Sequence, residues 1–411
     1  MRILVVGGGI GGLCLAQGLV RSDLTVDVFE RDTHPTVRGQ GYRVTIKEVG
    51  AHALRDCLPA ELFELCVATS IRQATTMAFT DEQLKPKFRK DVPLVEPGPA
   101  GFGVNRLTLR EILLSGLEQS VHFGKTLTGY EQLGDGVRVR FADGTSAEGD
   151  LLVGADGTNS AVRRQLLPDA VIDEYDRAIY GRTPMTAGTS EWLPEILTDS
   201  FNRVVGPDAA MSVATCRAAG TARGLTPIGD YLSWMLTLTS APLPATAEAA
   251  ELRTLARRAV EGWHPAVGRI IDESDVDGTA LVTISTARPV AGWDASRVTL
   301  LGDAIHTMSP GRGEGANTAL RDAEMLRATI AAVAQGVPLP TAKALYEQEM
   351  LRYGFEMVAR SRDEPFAPRV RSAPAPTTST AQSSPTRTNE NGSDVAAAMP
   401  PIAPGAARPA P

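Results

Sequence analysis

The chain opens on the run Arg2-Ile3-Leu4-Val5-Val6, a short apolar segment that predicts a buried strand of a parallel sheet. From Ile10 to Arg21 the apolar positions cover most faces of a helical wheel, which predicts an internal helix. Thr25 to Glu30 then predicts a second strand. Strand, helix and strand within thirty residues make a βαβ unit. Further on, Leu109, Leu113 and Leu117 share one face of a helix predicted over Arg106–Gln119. Residues 136–144 read as one arm of a hairpin closed by Asp143-Gly144, and Leu151-Leu152-Val153 as another buried strand ending in Gly154-Ala155-Asp156-Gly157. The pattern changes between 175 and 285. Strands are predicted at Ala178–Arg182, Met211–Cys216 and Tyr231–Leu238, separated by Pro, Gly and Thr, with a helix at Ala247–Glu261. The buried-strand pattern returns over Val298–Asp303. A long helix follows from Gly315 to Ala334, with Ala316, Ala319, Leu320, Ala323, Leu326, Ile330 and Val333 at helical period, and Gly336 and Pro338 ending it.

This order predicts an α/β protein: a Rossmann-like nucleotide-binding domain carrying an inserted, mostly antiparallel sheet. The expected boundaries are 1–174 for the first part of the nucleotide-binding domain, with segments of the second domain near 72–105. The inserted sheet spans 175–285, and 286–364 completes the first domain. From 365 to 411 the chain turns to Pro, Ala, Ser and Thr and holds ten of its 28 prolines, so that tail buries too little to offset its ordering entropy and is expected to be disordered.

Composition narrows the class of function. With 43% hydrophobic and 22% charged residues in 411, the chain has material for two fused cores. A net charge of -7 and a pI near 5.4 speak against nucleic acid or an anionic membrane as partner. The four cysteines, Cys14, Cys57, Cys66 and Cys216, form no C-x-x-C and have no histidine at ligand spacing, which argues against zinc or a disulfide framework. Met1-Arg2 leads directly into the first strand with no room for a leader, and no apolar run approaches the ~18 residues of a membrane span. A cytoplasmic protein is expected; monomer and homodimer both stay open.

The chemistry begins at Gly7, Gly9 and Gly12, a G-x-G-x-x-G between a predicted strand and a helix that starts at Ile10. Gly7 makes the tight turn, Gly9 admits a pyrophosphate close to the backbone, and Gly12 lets helix pack on strand. The helix N-terminus offers N–H groups to phosphate. Glu30, ending the second strand, is placed to accept ribose hydroxyls. NAD and FAD both suit this motif taken alone.

Two later segments decide between them. Asp150-Leu151-Leu152-Val153-Gly154-Ala155-Asp156-Gly157-Thr158-Asn159-Ser160-Ala161-Val162-Arg163 and Leu301-Gly302-Asp303-Ala304-Ile305-His306, with Pro310-Gly311-Arg312-Gly313-Glu314-Gly315-Ala316-Asn317, follow the glycine motif in order. Together with Glu30-Arg31 the three resemble the single-component flavoprotein aromatic hydroxylases, the family of p-hydroxybenzoate hydroxylase and the tetracycline-modifying monooxygenases, over about residues 1 to 360. The resemblance implies FAD as the bound cofactor and NADPH or NADH as a transient co-substrate. It implies O2 activated as a flavin hydroperoxide, and hydroxylation or epoxidation of an aromatic or polyketide-like small molecule. By the same resemblance Asp303 receives the ribityl hydroxyls, while Pro310, Gly313, Gly315, Ala316 and Asn317 surround the flavin ring. Asp156 and Gly157 lie where FAD and nicotinamide meet. His306 fixes its turn. Arg38 belongs to a loop beside the flavin, and either Arg106 or Arg110 is the FAD-contacting arginine.

No protein nucleophile or paired-carboxylate motif competes with this chemistry. The substrate is expected between the flavin and the inserted sheet, with Tyr180, Arg182, Met211, Trp234, Met235 and Pro310 as candidate lining residues. A flavin halogenase is disfavoured because the chain lacks W-x-W-x-I-P. A flavin reductase or oxidase and a non-catalytic FAD-binding protein remain as alternatives.

Overall fold

The computed structural model describes residues 1–37, 42–240, 242–294 and 296–363. Arg38 and the tail from 365, both singled out by the sequence, lie outside the described residues. Along the chain, β1 (Arg2–Val6), α1 (Ile10–Arg21) and β2 (Thr25–Glu30) form the opening βαβ unit. Next come β3 (Arg43–Lys47), α2 (Glu48–Cys57), α3 (Ala60–Ala68), β4 (Thr76–Asp81), β5 (Pro86–Asp91), β6 (Gly101–Asn105) and α4 (Arg106–Leu114). Four short strands, β7 (Val121–Phe123), β8 (Leu127–Gln132), β9 (Val137–Phe141) and β10 (Ser146–Gly149), precede β11 (Leu151–Gly154) and α5 (Ala161–Leu166). The second sheet is built mainly from β12 (Ile172–Pro184), β13 (Ser200–Val205), β14 (Ala209–Cys216), β15 (Tyr231–Leu238) and β16 (Ala280–Ala287). Helices α6 (Thr189–Trp192), α7 (Ala249–Ala259) and α8 (Pro265–Asp272) accompany it. The chain then returns through β17 (Val298–Leu300), α9 (Asp303–His306), α10 (Gly315–Ala334) and α11 (Leu339–Asp363).

Five strands form a parallel sheet in the order β17-β11-β1-β2-β7. Ile3–Val6, Leu151–Gly154 and Val298–Leu300 are wholly buried, as strands covered on both faces must be. Helix α1 is buried from Ile10 to Leu19, in part because it lies close against α10. A side chain at Gly11 would come 2.8 Å from Leu301 and 3.2 Å from Ala319.

The second sheet runs β16-β12-β15-β14-β13-β4-β5 and is antiparallel except where β13 meets β4. It begins at Ile172 and ends at Ala287, slightly wider than the sequence boundaries, and it takes in β4 and β5 from far earlier in the chain. Its pairing sorts residues onto two faces. Ile179, Leu236 and Met211 share one face, which closes with Val204, Val213, Leu232 and Trp234 into a core with Leu252, Ala256 and Ile270 of α7 and α8. Tyr180, Met235, Ser212 and Arg203 form a row on the other face.

Three sequence expectations need correction here. Helix α4 stops at Leu114 rather than Gln119, because Gly116 takes φ +81° and ends it. Strand β17 stops at Leu300, since Gly302 at φ +62° turns the chain into α9. Met211 and Trp234 line no cleft. Both are buried on the core face, and the Trp234 indole lies over Gly181, where a Cβ would come 2.0 Å from the ring, with its Nε1–H donating to Thr183 Oγ1 at 3.1 Å.

No helix among the described residues is long and apolar enough to cross a membrane. Trp234→Ala should therefore remove about 3–5 kcal/mol of stability, as large-to-small core changes do, and leave FAD affinity unchanged. Urea unfolding and a flavin titration on the same variant check both halves.

Candidate functional site

The three glycine-rich segments meet at the carboxyl end of the parallel sheet, the place where open α/β sheets bind ligands. Gly7 at φ +114° ends β1 so tightly that a Cβ there would lie 2.2 Å from the Ala155 carbonyl oxygen, and a Cβ on Gly12 would lie 2.2 Å from that of Gly7. Gly9 differs. A Cβ there would meet no atom within 4 Å. The first two glycines are required by the protein's own packing, whereas the third borders open space of the kind a pyrophosphate needs.

Glu30 is buried at the end of β2. Its Oε2 accepts the Gly8 N–H at 2.7 Å and its Oε1 the Asp32 N–H at 2.9 Å. Arg110 lies beneath this loop, also buried. Its Nε donates to the Gly8 carbonyl at 3.0 Å and its Nη1 to the Pro35 carbonyl at 2.8 Å, and its guanidinium reaches Glu30 and Asp32 at 3.5 and 3.4 Å. Arg110 is thus committed to the loop's own atoms. Arg106, one turn earlier, is half-buried above the Tyr42 ring at 5.5 Å and near enough to Asp303 to favour its charged form. Of the two arginines it is the one turned toward the cleft. Arg31 is exposed beside the strand end.

At the second motif, Asp156 shapes the backbone. Its Oδ2 accepts the N–H groups of Ala161 at 2.7 Å and Val162 at 3.3 Å, and its Oδ1 the Ser160 hydroxyl at 2.5 Å, so the carboxylate caps α5. Gly157, at φ +76° with open space beside it, is the member of this motif with room for a ligand. Arg163, buried in α5, donates to the carbonyls of Thr158 and Ala304 at 2.8 Å each and so fastens the second motif to the third. Thr158 and Thr307 hydroxyls join the same two segments at 2.9 Å.

Asp303 opens α9 and caps nothing. Its side chain is open to solvent yet walled by protein, and confinement raises its carboxyl above the ordinary range against the pull of His306 and Arg106. Among the described residues its carboxylate accepts no hydrogen bond, and its Oδ1 would lie 3.8 Å from a Cβ on Gly315. A carboxylate short of donors, beside a helix start, suits a chain of hydroxyls. Gly315 and Ala316 begin α10 half-buried, with no side chain capping their N–H groups. Gly313 at φ +65° ends the short turn Pro310–Arg312, whose Pro310 is exposed.

Asn317 plays a different part from the flavin contact implied by the resemblance. It is wholly buried, with Nδ2 donating to the carbonyls of Thr45 and Gly313 at 2.9 and 2.8 Å and Oδ1 accepting the Lys47 N–H at 2.7 Å. Its side chain is spent on pinning α10 and the preceding turn to β3. Lys47 and Glu314 add an ion pair at 2.5 Å to the same joint, which accounts for an otherwise unusual glutamate in the turn.

His306 bonds Asp322 at 2.7 Å, and the same Asp322 oxygen accepts the Gly302 N–H at 2.8 Å. Burial pushes the His306 pKa down, but the charge of Asp322 and the hydrogen bond to it prevail, with Asp303 adding to them, and hold it above its usual value. Sequence reading missed Asp322, although a charge between Ala319 and Leu326 interrupts the apolar stripe of α10. It also missed Tyr42, whose ring meets Tyr180 edge-on at 5.5 Å and so brings the open face of the second sheet up to the nucleotide motifs. Asn105 confirms that approach, its Nδ2 donating to the Tyr231 hydroxyl at 3.2 Å. Arg182 lies on this face too, paired with Asp275 at 3.0 Å.

Residues 1–361 match the family model described as an FAD binding domain. The chain belongs to that FAD-binding family. It is 32% identical over 380 residues to the dual O-methyltransferase/FAD-dependent monooxygenase elcB of Phaeosphaeria nodorum, a match covering 81% of this chain and 40% of that protein. It is also 32% identical over 336 residues to the FAD-dependent urate hydroxylase of Klebsiella oxytoca, covering 79% and 80%. The crystal structure of Klebsiella pneumoniae HpxO with FAD and uric acid is similar at a TM-score of 0.72 and 26% identity, over 88% of this chain and 87% of that one. The FAD-binding chain spans 40% and 41% of the length of the first curated relatives that it matches.

Two outcomes follow for the site. Gly9→Ala should leave the cofactor-free protein as stable as before and weaken FAD binding about tenfold or more. Gly12→Ala should destabilise the fold itself by about 1–3 kcal/mol. Melting curves of the two variants, with and without FAD, separate these effects. Because the folded pKa of His306 lies above its unfolded value near 6.5, the stability it contributes is fully present below about pH 6.5 and is lost as pH rises through the folded value. Asp322→Asn should then cost about 3–5 kcal/mol in mildly acid solution and less above neutrality. Urea unfolding from about pH 5 to about pH 9 measures this, and a penalty that grows with pH would contradict it.

Proposed function

We propose that the chain is an FAD-dependent monooxygenase that oxidises NADPH or NADH with O2, places one oxygen atom on an aromatic or polycyclic small molecule and releases the other as water. The observation that carries this reading is the cleft at the carboxyl end of the parallel sheet. One wall holds the FAD motifs with the donor-poor carboxylate of Asp303, and the other is the half-open sheet face with Tyr180, Arg182 and Met235. A relative matched over four-fifths of both lengths, the urate hydroxylase, is named for the same kind of chemistry. Bound FAD supplies the redox chemistry, taking a hydride from the nicotinamide and activating oxygen.

The chain's own residues bind and orient. Glu30 has lone pairs left to accept ribose hydroxyls, and the backbone around Gly9 would lie against the pyrophosphate, with Arg106 as the facing cation. Asp303 would accept the ribityl hydroxyls. The N–H groups at the start of α10 would set a positive dipole end toward the flavin ring and favour negative charge there. Asn317, Glu314 and Lys47 fix where that helix begins. The second sheet covers the cleft and restricts water. Gly157 and Pro310 border its mouth.

The purified protein, supplied with FAD, should show a bound-flavin spectrum and oxidise NADPH or NADH faster with a member of a phenol and polyketide panel, giving a product heavier by one oxygen. Asp303→Ala should weaken FAD binding by about tenfold or more. Oxidation without oxygen transfer to any compound would point to a reductase or oxidase, and failure to take up FAD would contradict the proposal outright.

A further inference from the structure

Outside the cofactor cleft, α2 and α10 bring three metal-ligating side chains together. His52 and Asp56 stand four residues apart on α2 and so share a face of that helix. Glu324 comes from the middle of α10. His52 Nδ1 lies 2.9 Å from Glu324 Oε1 and 4.0 Å from Asp56 Oδ2. One ligand atom from each of the three lies within 4.8 Å of the other two, and this is the one such group of histidine, cysteine or acidic residues among the described residues.

The charges in this group do not balance. Two carboxylates share one imidazole, which carries at most a single positive charge. Among the described residues no lysine or arginine stands within ion-pair distance of either carboxylate. Arg321, three residues before Glu324, pairs with Glu349 at 2.9 Å and lies over the Tyr353 ring, and Arg327 is folded back toward Gly18 of α1. Burial is the main reason the Glu324 carboxyl sits above its ordinary range, and the neighbouring Asp56 carboxylate adds to it against the pull of His52. A divalent cation resolves the imbalance, because two carboxylates and a neutral imidazole around it leave no net charge.

The scaffold beneath is close-packed. A Cβ on Gly50 of α2 would lie 2.3 Å from Asn317 Oδ1 and 3.2 Å from Leu320 of α10, and the three side chains follow one to two turns further along the two helices. Ligands carried on packed helices are held more precisely than ligands on loops. Around zinc, with bonds of about 2.0–2.2 Å, nitrogen and oxygen ligands lie roughly 3.3 Å apart, so rotation of the side chains suffices to close the set. A cavity of about 610 Å³ borders His52 and Glu324, with Glu48, Arg321 and Arg327 around it, and gives room for water at a fourth position.

We propose that His52, Asp56 and Glu324 form a site for a divalent transition-metal ion, with Zn2+ the best match, and that the ion fastens α2 to α10. One imidazole nitrogen and two carboxylate oxygens suit zinc better than calcium or magnesium, which prefer oxygen ligands alone. The inference does not rest on the function proposed above. The ion serves to hold two helices together, one of which begins at the joint made by Asn317, Lys47 and Glu314.

The test uses untagged full-length protein, supplied with FAD and freed of metal by a chelator that is then removed, with zinc chloride as the probe. Calorimetric titration should show one Zn2+ bound per chain, and saturating Zn2+ should raise the melting temperature by about 3 °C or more. Magnesium chloride at the same concentration should do neither. His52→Ala, Asp56→Asn and Glu324→Gln should each weaken Zn2+ binding by about tenfold or more and cancel the rise in melting temperature. Without metal the three variants should melt within about 1 °C of the wild type, since exposed ion pairs contribute little; should one of them fold poorly, the other two still decide. His34→Ala removes an exposed histidine from another segment and should leave Zn2+ binding as it is. No binding of Zn2+, binding without a rise in melting temperature, binding that survives in the three variants, or a loss shared by His34→Ala each overturns the site, leaving the cluster an ion pair of His52 with two carboxylates. Protein that takes up no FAD overturns the proposed function alone, because the titration reads the metal and not the flavin.

Discussion

Where a parallel strand ends, the next backbone N–H groups lose their ladder partners while still inside the protein, and each one left unmet costs about 1–3 kcal/mol. In this fold the same remedy appears at three strand ends. Glu30 accepts the N–H groups of Gly8 and Asp32 beyond β1 and β2, Asp156 those of Ala161 and Val162 beyond β11, and Asp322 that of Gly302 beyond β17. Each carboxylate is in turn held, by Arg110, by Ser160 and by His306 respectively. The rim of the cleft is thereby rigid before any cofactor arrives. What the rim leaves over for a ligand is small and specific: the lone pairs of Glu30, the open side of Gly9, the carboxylate of Asp303 and the first N–H groups of α10.

The second requirement is that segments far apart in sequence keep their places around that rim. Arg163 and the Thr158–Thr307 contact join residues about 150 positions apart, and Asn317 with Lys47–Glu314 joins β3 to α10 across some 270. These contacts are mostly side chain to backbone, so they fix the path of the chain more than the identity of its surface. The close approach of α1 and α10 through Gly11 and Ala319 does the same for the two helices that follow the first and third motifs. Preorganisation of this kind lets a binding site spend little on rearrangement when the ligand enters.

Much of this was legible in the sequence because it is written in local terms. Uninterrupted apolar runs located β1, β11 and β17, and glycines at fixed offsets located the turns after them. The helix Gly315–Ala334 followed from its stripe and the Gly336 stop. What could not be read locally was the partner of each polar group. Arg106 and Arg110 are one helical turn apart and indistinguishable by pattern, and only the position of Gly8 and Pro35 in space commits the second to the loop. Asn317 and Asp156 stand in the expected motifs, yet they hold backbone in place and do not turn toward the cleft. Trp234 and Met235 are neighbours in one strand, and alternation sends them to opposite faces. Which face meets the nucleotide motifs depends on contacts such as Tyr42 with Tyr180, formed by residues some 140 positions apart.

The sheet bearing Trp234 on one side and Arg203 on the other divides its obligations by parity along each strand. Odd and even positions answer to different demands, one set to the stability of the molecule and the other to whatever enters the cleft. A substitution on the cleft side changes a contact without opening a hole in the core, and one on the core side alters stability without altering the lining. Lineages built on this scaffold can therefore drift toward new compounds one alternate residue at a time, with the glycine motifs and their carboxylates left as they are. Variation in such a family should be banded, with every second residue of the sheet free to change and its neighbours held.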